Sequence, residues 1–195
     1  MNLFDQLYKK IITNLEINLP RHLTYHDPNH TRHVLEKVIL IAEKENISDQ
    51  ELYLLKIAAL YHDTGYQVGN KNHEGESCRI AELELAELGF KKAEIDQICG
   101  MILATQIPQQ PKTYLEGILA DADLEYLGTD EFDLISNKLF IETKHFQPNL
   151  TLEKWYNIQV DFITKHHYHT DFCKKNREPN KLKNLEKIKI KLQLL

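Results

Sequence analysis

The stretch LYHDTGY, residues 60–66, places a histidine and an aspartate side by side at the end of an apolar helical run. Burying two polar groups in succession costs free energy unless each of them finds a partner. Upstream, SDQELYLLKIAALYH begins with Ser48, a residue typical of helix N-caps, and Gly65 is typical of a helix end. The sequence therefore predicts that His62 and Asp63 emerge, partly buried, where a helix stops.

Helical patterns account for almost the whole chain, and no stretch alternates clearly enough to predict a strand. Glycines and prolines separate the predicted helices, which span 2–18, 30–46, the stretch from Ser48, 75–88, 92–105, 113–127, 131–145, 151–168 and 180–194. We predict an all-α fold, a single-domain orthogonal helical assembly over residues 1–195. Its metal-binding core would lie at about 22–128, with C-terminal helices at about 131–195 packed on it.

The composition predicts a globular protein of the cytoplasm. Hydrophobic residues make up 42% of the chain and charged residues 27%, and no apolar run is long enough to cross a membrane. Three scattered cysteines without zinc-site spacing suit a reducing compartment. The net charge of −5 argues against a nucleic-acid partner, although residues 174–195 contain eight Lys or Arg and two Glu. We expect a terminal helix with solvated lysines there, and a homo-oligomer stays open.

Histidines flank the start of the predicted helix 30–46. His30 precedes Val34 by four residues and Val38 by eight, so it shares the core face of that helix. His26 lies just before the helix, in a turn that contains a proline. A single histidine on an apolar face is usually a core residue bonded to a carbonyl. A functional role for His30 therefore depends on other ligands nearby.

Two aspartates occur in EGILADADLEYLG, residues 116–128. Asp121 and Asp123 are two positions apart and point in nearly opposite directions from a helix, so either of them can face inward. A set of imidazole and carboxylate ligands suits Mn, Fe, Zn, Co or Ni better than calcium. Three helices of a helical core can supply such a set from His30, from His62 and Asp63, and from one of these aspartates.

The ordered pattern of His30, the His62-Asp63 pair and an aspartate in ADAD resembles the HD-domain superfamily of metal-dependent phosphohydrolases. The stretch YHDPNH resembles the Y-H-N-x-x-H element of HD hydrolases and cyclic-nucleotide phosphodiesterases. Further similarity in NHEGESCRIAELEL and in the C-terminal sequence extends the resemblance over nearly the whole chain. The resemblance implies four metal ligands, with Asp121 chosen because the family ligand lies in an Ala-Asp step followed by helix: His30, His62, Asp63 and Asp121.

The resemblance also implies roles for residues around these ligands. His26 matches the histidine that protonates the leaving oxygen, and Asp63 takes part in catalysis by bridging two ions if two are bound. His73 and Glu74 fall near a second metal or its bound waters, and Asp123 then lies behind the metal ligands or at the surface. We assign Lys71 and Tyr25 to substrate binding, Lys71 because a lysine just past the HD turn can neutralise phosphate.

Two positions depart from the family pattern. Asp27 replaces the asparagine of Y-H-N-x-x-H, and Gln106 stands where relatives often have a histidine. If that histidine ligates a second metal, this chain holds one ion, or holds the second through water. The number of ions therefore stays open, and Mg is possible beside the transition metals.

The resulting hypothesis is a metal-dependent phosphohydrolase that acts on a nucleotide or another small phosphate ester. Whether the ester is a mono- or a diester stays open. One alternative is a non-catalytic signalling module that binds a metal or a nucleotide without hydrolysis. The other is a purely structural helical domain, which predicts no bound metal and unchanged melting after chelation.

Overall fold

The chain folds into ten α-helices and two short 3₁₀ helices, and the computed structural model describes residues 2–195. No strand occurs in this part of the chain, so the predicted all-α class is confirmed. The α-helices are α1 (Leu3–Asn18), α2 (Pro28–Lys44), α3 (Asp49–Tyr61), α4 (His73–Glu87), α5 (Lys92–Leu103), α6 (Tyr114–Asp123), α7 (Phe132–Phe146), α8 (Leu152–Lys165), α9 (Asp171–Asn176) and α10 (Glu178–Gln193). The 3₁₀ helices are Thr64–Gln67 and Glu125–Gly128.

Most predicted helices lie within a few residues of the observed ones. The short helix α9 was not predicted, and it begins after Thr170, whose side chain accepts a hydrogen bond from the backbone N–H of Cys173. The single domain over residues 1–195 stays a prediction, and Met1 lies outside the described residues. Between residues 2 and 195, no helix combines the length and the apolar composition that a membrane span requires.

Helix α3 forms the centre of the molecule. It packs against α1, α2, α5 and α6, and the side chains from Ile57 to Tyr61 are buried. A capping box between Ser48 and Glu51 sets its first turn. The Asp27 side chain caps α2 by accepting hydrogen bonds of 2.8 Å from the backbone N–H groups of Asn29 and His30. These caps fix where the helices that carry the candidate ligands begin.

A second hydrophobic cluster joins the 3₁₀ helix Glu125–Gly128 to the C-terminal helices. Helix α10 packs on α8 and on this 3₁₀ helix, and α7 contacts the 3₁₀ helix as well. The buried members of the cluster are Tyr25, Leu124, Tyr126, Leu127, Phe132, Ile163, Leu185 and Ile188. This cluster therefore brings α7 and α8 against the end of α6, where the two candidate aspartates lie.

Lys181 on α10 is buried, which contradicts the expectation that the lysines of the terminal helix are solvated. Its ammonium donates hydrogen bonds to the His166 carbonyl oxygen at 2.6 Å and to His166 Nδ1 at 3.2 Å. Its third contact is a carboxylate oxygen of Glu178 at 2.9 Å. Three partners satisfy the three donors of this ammonium, and the contacts with His166 hold α10 against the segment that follows α8.

Candidate metal centre

Three side chains from three helices meet at one point. His30 Nε2 lies 3.0 Å from Asp123 Oδ1 and 3.3 Å from His62 Nε2, and His62 Nε2 lies 3.7 Å from Asp123 Oδ1. These atoms can hold a metal ion. His30 comes from the first turn of α2, His62 from the end of α3 and Asp123 from the end of α6, so tertiary packing alone brings them together.

Asp63 contacts this cluster with one carboxylate oxygen and faces away from it with the other. Oδ2 lies 3.2 Å from His62 Nε2 and 3.4 Å from His30 Nε2, and it is buried without a hydrogen-bond partner among the described residues. Oδ1 lies 3.6 Å from His73 Nε2. Burial raises the pKa of Asp63, but His62, His26 and His30 outweigh it and hold the carboxyl ionised. A buried, ionised and unpartnered oxygen beside two imidazoles is what a metal site needs.

The backbone at the His62-Asp63 turn is fixed by Ser77 of α4. The Ser77 hydroxyl donates to the His62 carbonyl oxygen at 2.7 Å and accepts from the backbone N–H of Gly65 at 2.8 Å. A Cβ atom on Gly65 would lie 2.0 Å from the carbonyl oxygen of His73. Glycine is required here because the chain passes close to the start of α4.

The ring of His62 is oriented by its own helix. Its Nδ1 lies 2.8 Å from the Ala59 carbonyl oxygen, an acceptor only, so Nδ1 carries a proton and Nε2 faces the cluster. Burial lowers the pKa of His62, but the nearby carboxylates of Asp63 and Asp123 outweigh it and raise the pKa to about 9. In the metal-free protein at neutral pH, Nε2 therefore carries the proton that a bound metal would displace.

Asp121 lies outside this cluster, which corrects its assignment as the metal-ligating aspartate. Its carboxylate accepts hydrogen bonds of 2.8 Å from the backbone N–H groups of His169 and Thr170, and one of 2.6 Å from the Thr170 hydroxyl. It therefore anchors the start of α9, while Asp123 joins His30. The Ala-Asp step occurs twice in ADAD, so the motif could not distinguish the two aspartates.

The partly buried His26 pairs with the buried Glu142 beside the cluster. His26 Nδ1 contacts a carboxylate oxygen of Glu142, whose other oxygen accepts from the backbone N–H of Tyr25 at 2.8 Å. Burial lowers the pKa of His26, but the Glu142 carboxylate outweighs it and raises the pKa overall. On the other side of the ring, Nε2 lies 3.1 Å from the Tyr66 hydroxyl.

His73 and Glu74, at the start of α4, lie on the far side of Asp63. His73 Nε2 is 3.5 Å from Glu74 Oε1, and the His73 ring stacks on Tyr66 at 4.0 Å between centroids. Burial lowers the pKa of His73, which favours the neutral imidazole that a metal requires. The structure thus places both residues near the second oxygen of Asp63.

The two predicted substrate contacts differ in position. Tyr25 is buried, and its ring centroid lies 4.6 Å from that of His26 and 4.6 Å from that of His30, so it supports both imidazoles. Lys71 is exposed and does not line the cavity at the cluster, so the structure does not support its assignment. Gln106 is also exposed and absent from the cavity wall, whereas its neighbour Thr105 lines it.

A cavity of about 340 Å³ adjoins the cluster, and Asp63 and Asp123 line it. Its polar lining also includes His26, His73 and Glu74. The rest of the lining is mainly apolar and includes Tyr126, Leu124, Leu127, Leu139, Trp155, Ile158, Gln159, Phe162 and Ile163. The described lining contains no lysine and no arginine. A cavity with a candidate metal cluster on one wall is suited to a small ligand.

The sequence reasoning overlooked Glu142 and Ser77. Glu142 follows Leu139 by three positions on a predicted helix, and a carboxylate in such an apolar stripe was the available signal. Ser77 carries no comparable signal because a helical serine is commonplace. Only the contact with the His62-Asp63 turn reveals its role.

A known protein family matches the part of the chain that contains the N-terminal residues of the site. Residues 20–98 match the HD-CE family. The HD-CE match covers less than half of the chain and indicates an HD-like domain there, containing His26, His30, the His62-Asp63 pair and His73. Asp123 lies outside the HD-CE segment. No curated protein and no solved structure matched the chain.

Proposed function

We propose that the protein is a metal-dependent phosphohydrolase that acts on a nucleotide or another small phosphate ester. The observation that carries the proposal is the convergence of His30, His62 and Asp123 with the unpartnered oxygen of Asp63, beside a cavity that the two aspartates line. The HD-like match over residues 20–98 supports it.

The residues present fit a divalent transition metal. His30 Nε2, His62 Nε2, Asp63 Oδ2 and Asp123 Oδ1 would hold it, and the mixed nitrogen and oxygen set suits Mn, Fe, Co, Ni or Zn. The contact between His62 Nδ1 and the Ala59 carbonyl is the outer support that metal-bound imidazoles usually have. A bound ion would polarise a phosphoryl oxygen and lower the pKa of water.

A second ion has candidate ligands on the other side of Asp63. His73 Nε2 lies 3.6 Å from Asp63 Oδ1 and 3.5 Å from Glu74 Oε1. A carboxylate whose two oxygens face different imidazoles is suited to bridging two ions. The metal content per chain, with His73→Ala as comparison, decides between one ion and two.

His26 would act as the general acid in this reaction. Glu142 accepts a hydrogen bond from Nδ1 and raises the pKa of the ring, which favours the imidazolium form in which Nε2 also carries a proton. When water attacks phosphorus and the ester P–O bond breaks, that proton moves from Nε2 to the leaving oxygen. Tyr66, 3.1 Å from Nε2, orients the ring.

The central test is hydrolysis of a panel of phosphate esters with Mn, Co, Ni, Zn or Mg added to metal-free protein. We expect metal-dependent turnover that is lost in His62→Ala and kept in His145→Ala, a change at an exposed histidine outside the cavity. Equal turnover in metal-free protein and in His62→Ala would contradict the proposal. Nucleotide binding without hydrolysis under any metal would support the signalling module instead.

The role of His26 has its own test. His26→Gln should slow hydrolysis of an alkyl ester by about 10²–10⁴-fold, the usual contribution of a general acid. An ester of p-nitrophenol should be affected much less, because that leaving group needs no proton. Equal losses for both esters would show that His26 acts in binding or folding rather than in proton transfer.

A further inference from the structure

The cavity beside the metal cluster adjoins a second cavity, and the two share apolar lining residues. Ile107, Ile158 and Phe162 line both cavities. The side chains of Ile107 and Ile158 are 51% and 46% exposed, although such apolar groups gain free energy from being covered. These residues therefore mark a surface where an apolar part of a ligand can pass from one cavity to the other.

The second cavity, of about 610 Å³, carries little uncompensated charge. Lys165 and Asp161 at its edge pair with each other at 2.7 Å. Burial and the nearby Lys181 lower the pKa of His166 to about 3, so this ring is neutral. A phosphate group would find no free lysine or arginine in either described lining.

The second cavity does contain polar atoms that lack partners. Lys181 donates to Nδ1 of His166, so the ring proton of that neutral imidazole is on Nε2. The amide nitrogen of Gln109 donates a hydrogen bond to the Ala120 carbonyl oxygen at 2.9 Å, which leaves Oε1 as an acceptor. His166 Nε2, His169 Nε2 and Gln109 Oε1 are all buried without a hydrogen-bond partner among the described residues. A buried donor and a buried acceptor in the lining of one cavity are the two kinds of group that pair with the edge of a heteroaromatic ring.

We infer that the two adjoining cavities hold the uncharged heteroaromatic part of the substrate, as in a nucleoside, with its phosphate at the metal cluster. This inference rests on the proposed function and narrows it. The substrate carries one phosphoryl group rather than a polyphosphate, because the described linings offer no unpaired lysine or arginine for further phosphates. Ring contact comes from Phe162 and Trp155, and edge recognition comes from Gln109 and His166.

Trp155 is the only tryptophan and lines the first cavity, so its fluorescence reports on binding. The test titrates metal-free protein with adenosine, guanosine, cytidine and uridine, none of which carries a phosphate. We expect a saturable change with at least one nucleoside. Ile158→Ser should weaken that binding about tenfold through lost apolar contact. Ile141→Ser, at a 50% exposed isoleucine outside both linings, should leave binding unchanged.

The polar contact is tested with a second matched pair. Gln109→Leu should weaken nucleoside binding about tenfold, while Gln110→Leu, at the exposed neighbouring position, should not. Absence of binding by all four nucleosides, or equal binding by Ile158→Ser, Gln109→Leu and the unaltered protein, would overturn the inference. Metal-dependent hydrolysis of aliphatic phosphate esters would then still support the proposed function. Nucleoside binding by the unaltered protein, with no hydrolysis of any phosphate ester under any metal, would instead retain the cavity assignment and reject the phosphohydrolase.

Discussion

At the scale of single residues, the structure gives different roles to identical residues that lie close together in the sequence. Asp121 and Asp123 are both buried or nearly so at the end of α6, yet one accepts three hydrogen bonds from the chain and the other joins the histidines. Gly65 lies in the 3₁₀ helix Thr64–Gln67 and Gly69 follows it two residues later, yet only Gly65 lies close to another helix. Substitutions at these pairs separate folding from metal binding.

Changing each of the two aspartates to asparagine should affect a different property, metal binding in one case and stability in the other. Asp123→Asn should lower the metal retained after dialysis, because a carboxylate near His30 is lost, while stability is nearly kept. Asp121→Asn should retain metal in the folded protein but reduce the free energy of unfolding by about 1–3 kcal/mol, since an amide cannot accept all three hydrogen bonds. Elemental analysis and urea unfolding measure both quantities. The reverse pattern would restore Asp121 as the ligand.

Gly65→Ala should destabilise the protein by about 1–3 kcal/mol, because its Cβ would lie 2.0 Å from the His73 carbonyl oxygen. The change should also reduce metal binding, since the turn carries the neighbouring Asp63. Gly69→Ala is the control, because no atom lies within 4 Å of the added Cβ. Equal urea midpoints for the two variants would show that the turn can shift at little cost.

At the scale of elements, α10 is attached to the segment after α8 through a buried lysine and a neutral histidine. Lys181 donates to both the carbonyl oxygen and Nδ1 of His166, so protonation of that ring would place a second cation beside the ammonium. His167 and His169 lower the pKa of His166 further. This junction is therefore the element contact that is most sensitive to acid.

The pKa of His166 sets the direction of this acid sensitivity. Its folded-state value of about 3 lies below the unfolded value of about 6.5, so the unfolded chain binds the proton more readily. The contribution of neutral His166 to the stability of the folded state is present above about pH 6.5 and is lost toward pH 3. The loss is up to about 1.4 kcal/mol per pH unit. When the pH falls from 6.5 to 5, the free energy of unfolding of His166→Gln should therefore decrease by about 2 kcal/mol less than that of the unaltered protein.

Urea unfolding at the two pH values measures this difference. His145→Gln, at an exposed histidine, is the control and should behave as the unaltered protein does. An unchanged pH dependence in His166→Gln would mean that other groups cause the acid sensitivity.

At the scale of the whole molecule, the metal cluster lies where α2, α3 and α6 meet. Metal binding should therefore stabilise the packing of these three helices as a unit. At a free metal concentration 100 times Kd, the gain is about 2.7 kcal/mol. This corresponds to a rise in Tm of roughly 5–10 °C for a chain of this size.

Melting curves with and without a chelator measure this effect. Chelation should lower Tm in the unaltered protein and leave His62→Ala unchanged. The metal-dependent gain should increase from pH 6 to pH 8, because a raised pKa of about 9 means that metal must displace a proton from His62. A Tm that is insensitive to chelation would favour the purely structural domain.

Local information was sufficient for the helices and for part of the site. Apolar spacing, the Ser48 cap and the glycine and proline breaks are short-range signals, and they predicted the all-α fold and most helix positions. His30, His62 and Asp63 could be selected because each departs from an apolar pattern. The short helix α9 carried too few residues to show such a pattern.

Tertiary packing decided the rest. The orientation of α6 against the segment at Thr170 turns Asp121 toward backbone N–H groups and leaves Asp123 toward His30, a choice that two adjacent Ala-Asp steps do not encode. Glu142 meets His26 across 116 positions of sequence, a contact that helical periodicity cannot predict. The physical reason is that periodicity specifies which face of a helix is buried, whereas the neighbour on that face depends on how all the helices pack together.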